Sequence, residues 1–165
     1  MNTDFIDFVN NSLVPFTQLF LALLLGALLG IERTFARKTA GMRTFSLVSM
    51  GSCLFIVMSQ LVIHNLNVST IFDPLRLAAG VVTGIGFLGG GLIIFHEEKL
   101  SGLTTAAGLW VSSGIGMAVG FGLYSLSISA TFLTLFCFLV LWNIEHKIIK
   151  PEDKLIKQNK KSAVL

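Results

Sequence analysis

Two short stretches carry residues whose chemistry could amount to a site. Gly84-Ile-Gly86-Phe-Leu-Gly89 has the G-x-G-x-x-G spacing that cradles a pyrophosphate when it joins a soluble strand to a helix. Here long apolar runs flank it and place it inside a candidate membrane span, so a dinucleotide role is excluded. Ser101-Gly-Leu-Thr104-Thr105 supplies three hydroxyls, but a nucleophile needs an oriented base. His64 falls toward the other membrane face, and His96 has only Glu97 and Glu98 beside it. Ser101 is expected to cap the helix that follows, and Thr104 and Thr105 to bond back to the preceding turn. No enzyme chemistry and no cofactor are expected.

The charged candidates sit at span ends. Asp73-Pro-Leu-Arg76 opens a span: Pro74 suits the first helical position, and Asp73 can cap it. Alternatively, Asp73 and Arg76 form a polar latch at the outer mouth of the bundle. Glu32, beside Arg33, lies at a helix C-terminus, against the macrodipole, and so calls for a cationic partner; Arg43, next to Thr44, is the candidate. Glu32 and Asp73 belong to opposite membrane faces, so they do not share a metal. Cys53 and Cys137 fall in apolar runs and form no metal or disulfide pattern, and no metal site is expected. No Asp, Glu, Lys or Arg lies at the middle of a span, which argues against autonomous ion-coupled transport.

The elements that must position these residues are membrane helices. The chain is 53% hydrophobic and 13% charged, with a mean hydropathy of +0.80, values outside the range of a soluble domain. Apolar stretches run from about Leu13 to Ile31, Thr44 to His64, Arg76 to Phe95, Leu103 to Phe121 and Leu126 to Ile144, each long enough for a bilayer core. The expected fold is an all-α bundle of about five transmembrane helices. Residues 1–12 read as an interfacial segment, 13–145 as the transmembrane domain and 146–165 as a basic tail along anionic headgroups. Asp4 and Asp7 stand where a signal peptide would be basic, so no cleavage is expected. Of twelve Lys and Arg, Arg76 alone falls on one side of such a bundle. That bias puts the N-terminus outside and the C-terminus in the cytoplasm, and it gives no reason to expect nucleic-acid binding.

Twelve of the sixteen glycines lie between Gly80 and Gly122. In lipid, small residues four apart let helix backbones approach closely. Gly80 and Gly84, with Gly86, on one span and Ser112, Gly116 and Gly120, with Gly114, on the next therefore predict a tightly packed helix pair. Trp110 is expected to pack on that glycine surface. Gly26 and Gly30 on the first span offer another such face, either within the bundle or between copies of the chain.

Taken together, Gly30-Ile-Glu32-Arg33, Ala40-Gly-Met-Arg43-Thr44, Asp73-Pro-Leu-Arg76, Thr83-Gly-Ile-Gly-Phe-Leu-Gly-Gly-Gly91 and Gly102-Leu-Thr-Thr-Ala-Ala107 with Trp110 resemble the MgtC/SapB family of bacterial membrane proteins. The blocks occur in order over about residues 16–145. The resemblance implies an inner-membrane bundle tied to adaptation to low magnesium, acid or life inside host cells. It implies a non-enzymatic, modulatory role through binding other membrane complexes, the ATP synthase or transporters among them. The alternative is an ion channel or carrier, for Mg²⁺ or another ion, with Thr83, Thr104, Thr105 and a helix broken at Gly89-Gly90-Gly91. Longer members of the family carry a soluble C-terminal domain, and this sequence is expected to be a short form.

Overall fold

The computed structural model describes residues 3–66, 73–96, 99–144 and 147. Among these residues five α-helices follow in order: α1 Thr3–Phe35, α2 Met42–Leu66, α3 Pro74–Leu92, α4 Leu103–Gly120 and α5 Tyr124–Phe136. A π-helical turn, Cys137–Leu141, extends α5. All five contain stretches long and apolar enough to cross a membrane, the fifth spanning Tyr124–Ile144 through the π turn. The expected boundary at residue 12 is not marked by a break, since α1 runs through it and takes Pro15 into its length. The basic tail lies outside the described residues, Lys147 excepted.

Between α3 and α4 the chain forms a small hairpin that the apolar pattern does not announce. Strand β1 (Ile94–His96) pairs antiparallel with β2 (Lys99–Ser101), Ile94 opposite Ser101. Ser101 therefore does not cap α4: its hydroxyl donates across the hairpin to the Ile94 carbonyl (3.2 Å). Gly102 occupies the N-cap position with a left-handed backbone (φ +89°), and a Cβ there would run into the Leu92 carbonyl. A side chain is excluded on both counts.

Helix α4 is the centre of the bundle. Of its span, 56% of the residues are buried, against 11% for α3. The buried face of α4 follows from helical geometry: Thr105, Gly108, Ser112, Gly116 and Gly120 recur every three or four residues on one side. That face meets α2, with Gly116 against the Ser49 backbone and Gly120 against Ile56 and the Cys53 carbonyl. Hydroxyls cross the same seam. Ser52 and Ser113 share a hydrogen bond (2.8 Å), and Ser112 donates to the Phe45 carbonyl (3.0 Å). In lipid each such bond contributes on the order of 0.6 kcal/mol, so the close packing matters more than any single bond. From α1, buried Gln18 donates to the Val119 and Gly120 carbonyls (3.2 and 3.3 Å), supplying partners to the end of α4.

The α1–α2 turn explains the first sequence blocks. Gly30 lies under Met42, and Gly26 under the Phe45 carbonyl and Ser49, where an added Cβ would sit 2.6 and 2.8 Å from its neighbours. The Gly26/Gly30 face is thus covered by α2 of the same chain. Thr34 donates to the Gly30 carbonyl (2.9 Å) and accepts from the Met42 amide (3.0 Å), and Gly41 packs against its hydroxyl. One threonine thereby ends α1 and starts α2.

Candidate functional site

The ends of α1 and α5 and the starts of α2 and α4 fall on one membrane face, because successive spans alternate in direction. Two features are built there: a charged cluster around Arg33, and the mouth of a glycine-lined groove.

Arg33 is 2% exposed, a cost that an unpaired guanidinium in an apolar bundle would not survive. Its Nε donates to the Glu32 carboxylate. Its guanidinium carbon lies 3.7 Å above the ring centroid of Phe138. Phe138 in turn meets Phe45 edge to face, with centroids 6.5 Å apart and planes at 83°. Gly108 lies beneath both rings, and a Cβ there would sit 2.7 Å from Phe138 and 3.1 Å from Phe45. The π turn that carries Phe138 shifts the register of α5 and sets the ring over Arg33; such insertions in α-helices recur at functional sites. Nothing in the sequence pattern singles out Phe138, Phe45 or Gly108 as members of this cluster. An aromatic in an apolar helix carries no signal of what its ring faces, and only a glycine opposite hinted at a bulky neighbour.

Arg43 is not the partner of Glu32. It opens α2 on the side turned to α3, whereas the Glu32 carboxylate is engaged by the adjacent Arg33. Arg43 and Thr44 stand at the end of a groove of about 680 Å³ between α2 and α3. Its walls are Gly51, Ser52 and Phe55 on one side and Gly80, Gly84 and Leu88 on the other. Among the described residues, a Cβ on Gly51, Gly80 or Gly84 would meet no atom within 4 Å. The expected glycine-on-glycine pairing of α3 with α4 is therefore redistributed. Gly116 and Gly120 are filled by α2, while α3 reaches α4 through Gly89, set against Ala106, and leaves the Gly80/Gly84 stripe uncovered. Gly86 and Gly114 also face open space. Trp110 is 54% exposed rather than packed on glycine, because it falls on the side of α4 opposite the Gly108–Ser112–Gly116 face.

Asp73 caps α3 as expected, accepting from the Leu75 amide (2.9 Å). Among the described residues Asp73 and Arg76 form no ion pair; they meet only through the Arg76 amide and Asp73 carbonyl (3.0 Å). Asp73→Ala should therefore cost about 1 kcal/mol, the usual loss for a helix cap. Thermal melts in detergent would check it. Thr105 is buried in the bundle, Thr104 borders a cavity beside Arg33, and Thr83 donates to the Ala79 carbonyl on α3. The three hydroxyls thus do not line one passage. Helix α3 continues unbroken through Gly89–Gly91. Among the described residues no three His, Cys, Asp or Glu side chains gather as a metal set.

Such a bundle of five apolar, span-length helices defines a multi-pass membrane protein. The MgtC family model matches residues 19–147, and the chain belongs to that family. It is 39% identical over 140 residues to the putative magnesium transporter YhiD of Escherichia coli K12, covering 84% of this chain and 65% of that relative. It is 42% identical over 118 residues to MgtC of Salmonella typhimurium, covering 72% and 48%. With SrpB of Synechococcus elongatus it shares 40% identity over 126 residues, 72% of this chain and 69% of SrpB. The chain thus spans between about half and about two thirds of these relatives' lengths. No solved structure gives a significant match.

Proposed function

We propose that this protein is a non-enzymatic regulator that seats a transmembrane helix of another inner-membrane complex in the α2–α3 groove. The N-terminus is taken as outside and the Arg43 mouth as cytoplasmic, from the distribution of Lys and Arg. The observation that carries the proposal is the uncovered Gly80/Gly84 stripe facing Gly51 across the groove. Glycines four apart are costly in a lone helix and useful where another backbone comes close, and among the described residues no backbone covers them. Arg43 at the mouth suits a partner with an acidic residue just beyond its own span. The family points to the kind of complex, the ATP synthase or transporters, and to conditions of low magnesium or acid.

Gly84→Leu tests the reading. With no atom within 4 Å of a Cβ there, the variant should keep its melting temperature to within about 2 °C. Co-purification of the partner complex in mild detergent should fall by about tenfold or more. Undiminished capture by a folded Gly84→Leu protein would remove the proposal. The name of the E. coli relative, a putative magnesium transporter, favours a second reading, an ion channel or carrier. Purified protein in liposomes decides it: Mg²⁺ flux above that of empty vesicles would establish the second reading.

A further inference from the structure

Beside the charged cluster, and away from the α2–α3 groove, two cavities flank the end of α5. One, of about 470 Å³, is walled by apolar residues of α1 and α5 such as Leu28 and Leu139, with Glu32 at its edge. The other, of about 430 Å³, runs between α4 and α5 past Val111 and Leu133, with Arg33 and Thr104 on its wall. Phe138 and Trp142, one helical turn apart, form the ridge between them and border both. Lys38 also borders both.

We infer that this pair of cavities binds one anionic phospholipid, with its phosphate at Lys38 and Arg33 and one acyl tail on each side of the Phe138–Trp142 ridge. Four observations converge on that ligand. The two cavities are apolar along their depth and share one cation at their common edge, which is the shape of two tails joined at a charged head. Arg33 is held nearly without exposure by Glu32 and Phe138, so its guanidinium is preorganised on the cavity wall rather than free to swing into solvent. Lys38 is exposed and makes no ion pair among the described residues, which leaves its ammonium available to a phosphate oxygen. Trp142 lies where the fifth span ends, at the depth at which indole rings meet headgroups. Glu32 balances Arg33, and Lys38 leaves the shared edge with one net positive charge, which favours a phosphate with net negative charge over a zwitterionic headgroup. The site is independent of the groove, so either can fail without the other.

The test uses the full chain carrying Trp110→Phe, which leaves Trp142 as its one tryptophan. Phosphatidylglycerol with brominated tails should quench Trp142 at an about tenfold lower concentration than brominated phosphatidylcholine. Lys38→Gln, an exposed change that leaves the fold alone, should bring the two lipids to within about twofold of each other. Arg33→Lys, folded by the same melting test, should also weaken the preference, because a point charge does not reproduce the planar fork. Equal quenching by both lipids in the parent, or a preference untouched by Lys38→Gln, would overturn the site. Displacement of the brominated lipid by inorganic phosphate alone would assign the same phosphate chemistry to a soluble anion and overturn the lipid.

Discussion

Gly116→Leu should give a protein that reaches the membrane and does not hold its fold. Gly116 lies directly against the Ser49 backbone, and a Cβ there would overlap the Ser49 carbonyl. Backbone cannot rotate away as a side-chain tip can, so α2 and α4 would have to separate. Separation would break the Ser52–Ser113 and Ser112–Phe45 hydrogen bonds along the same seam. The expected loss is about 3 kcal/mol or more, the upper range for overpacking in a closely packed interior. Gly114→Leu, two residues away on the face of α4 that meets nothing, should change stability by no more than about 0.5 kcal/mol. Thermal unfolding followed by size-exclusion in detergent separates the two. Similar melting temperatures for both variants would show that α2 and α4 do not meet as described.

Phe138→Ala should be the other large effect, at about 3–5 kcal/mol. The ring fills the space over Gly108, meets Phe45 edge to face and covers the Arg33 guanidinium. Removing it opens a cavity and strips a buried cation of its aromatic face, which contributes about 2 kcal/mol where water is excluded. Phe138→Leu keeps most of the volume without the π face and should lose about half as much. A double-mutant cycle of Phe138→Leu with Arg33→Lys should give a coupling energy on the order of 1–2 kcal/mol. Additivity within about 0.3 kcal/mol would mean that the guanidinium and the ring do not interact.

These two sites also show what a single sequence discloses and what it withholds. Apolar runs of span length, broken by short polar links, led directly to five helices, because bilayer thickness sets their length. Asp73 before Pro74 led to a helix cap for an equally local reason. Glycine spacing disclosed which faces are bare but not what lies opposite. Helical periodicity places Gly116 and Gly120 on one side of α4, and both α2 and α3 could meet that side on sequence grounds; the structure gives it to α2 and leaves Gly80 and Gly84 open. Arg33 and Phe138 come from opposite ends of the chain, and the π turn that aligns them depends on tertiary packing rather than on local propensity. Glu32 invited a distant cation because the macrodipole argument asks for one, yet the neighbouring Arg33 answers it once burial gives that arginine nowhere else to turn. The hairpin was hidden because its strands are only three residues each, too short for an alternating pattern to emerge.

The modulatory reading depends on the open α2–α3 groove being occupied by a helix of another protein in the living membrane. Photo-crosslinking in native bacterial membranes reports on that directly, with a photoreactive residue placed in turn at Val81, which lines the groove, and at Trp110, which is exposed and outside its lining. Val81 should yield one discrete adduct with a second integral membrane protein, lost on Gly84→Leu, and Trp110 should yield none. Adducts from Val81 only with lipid, or the same protein adducts from both positions, would contradict it.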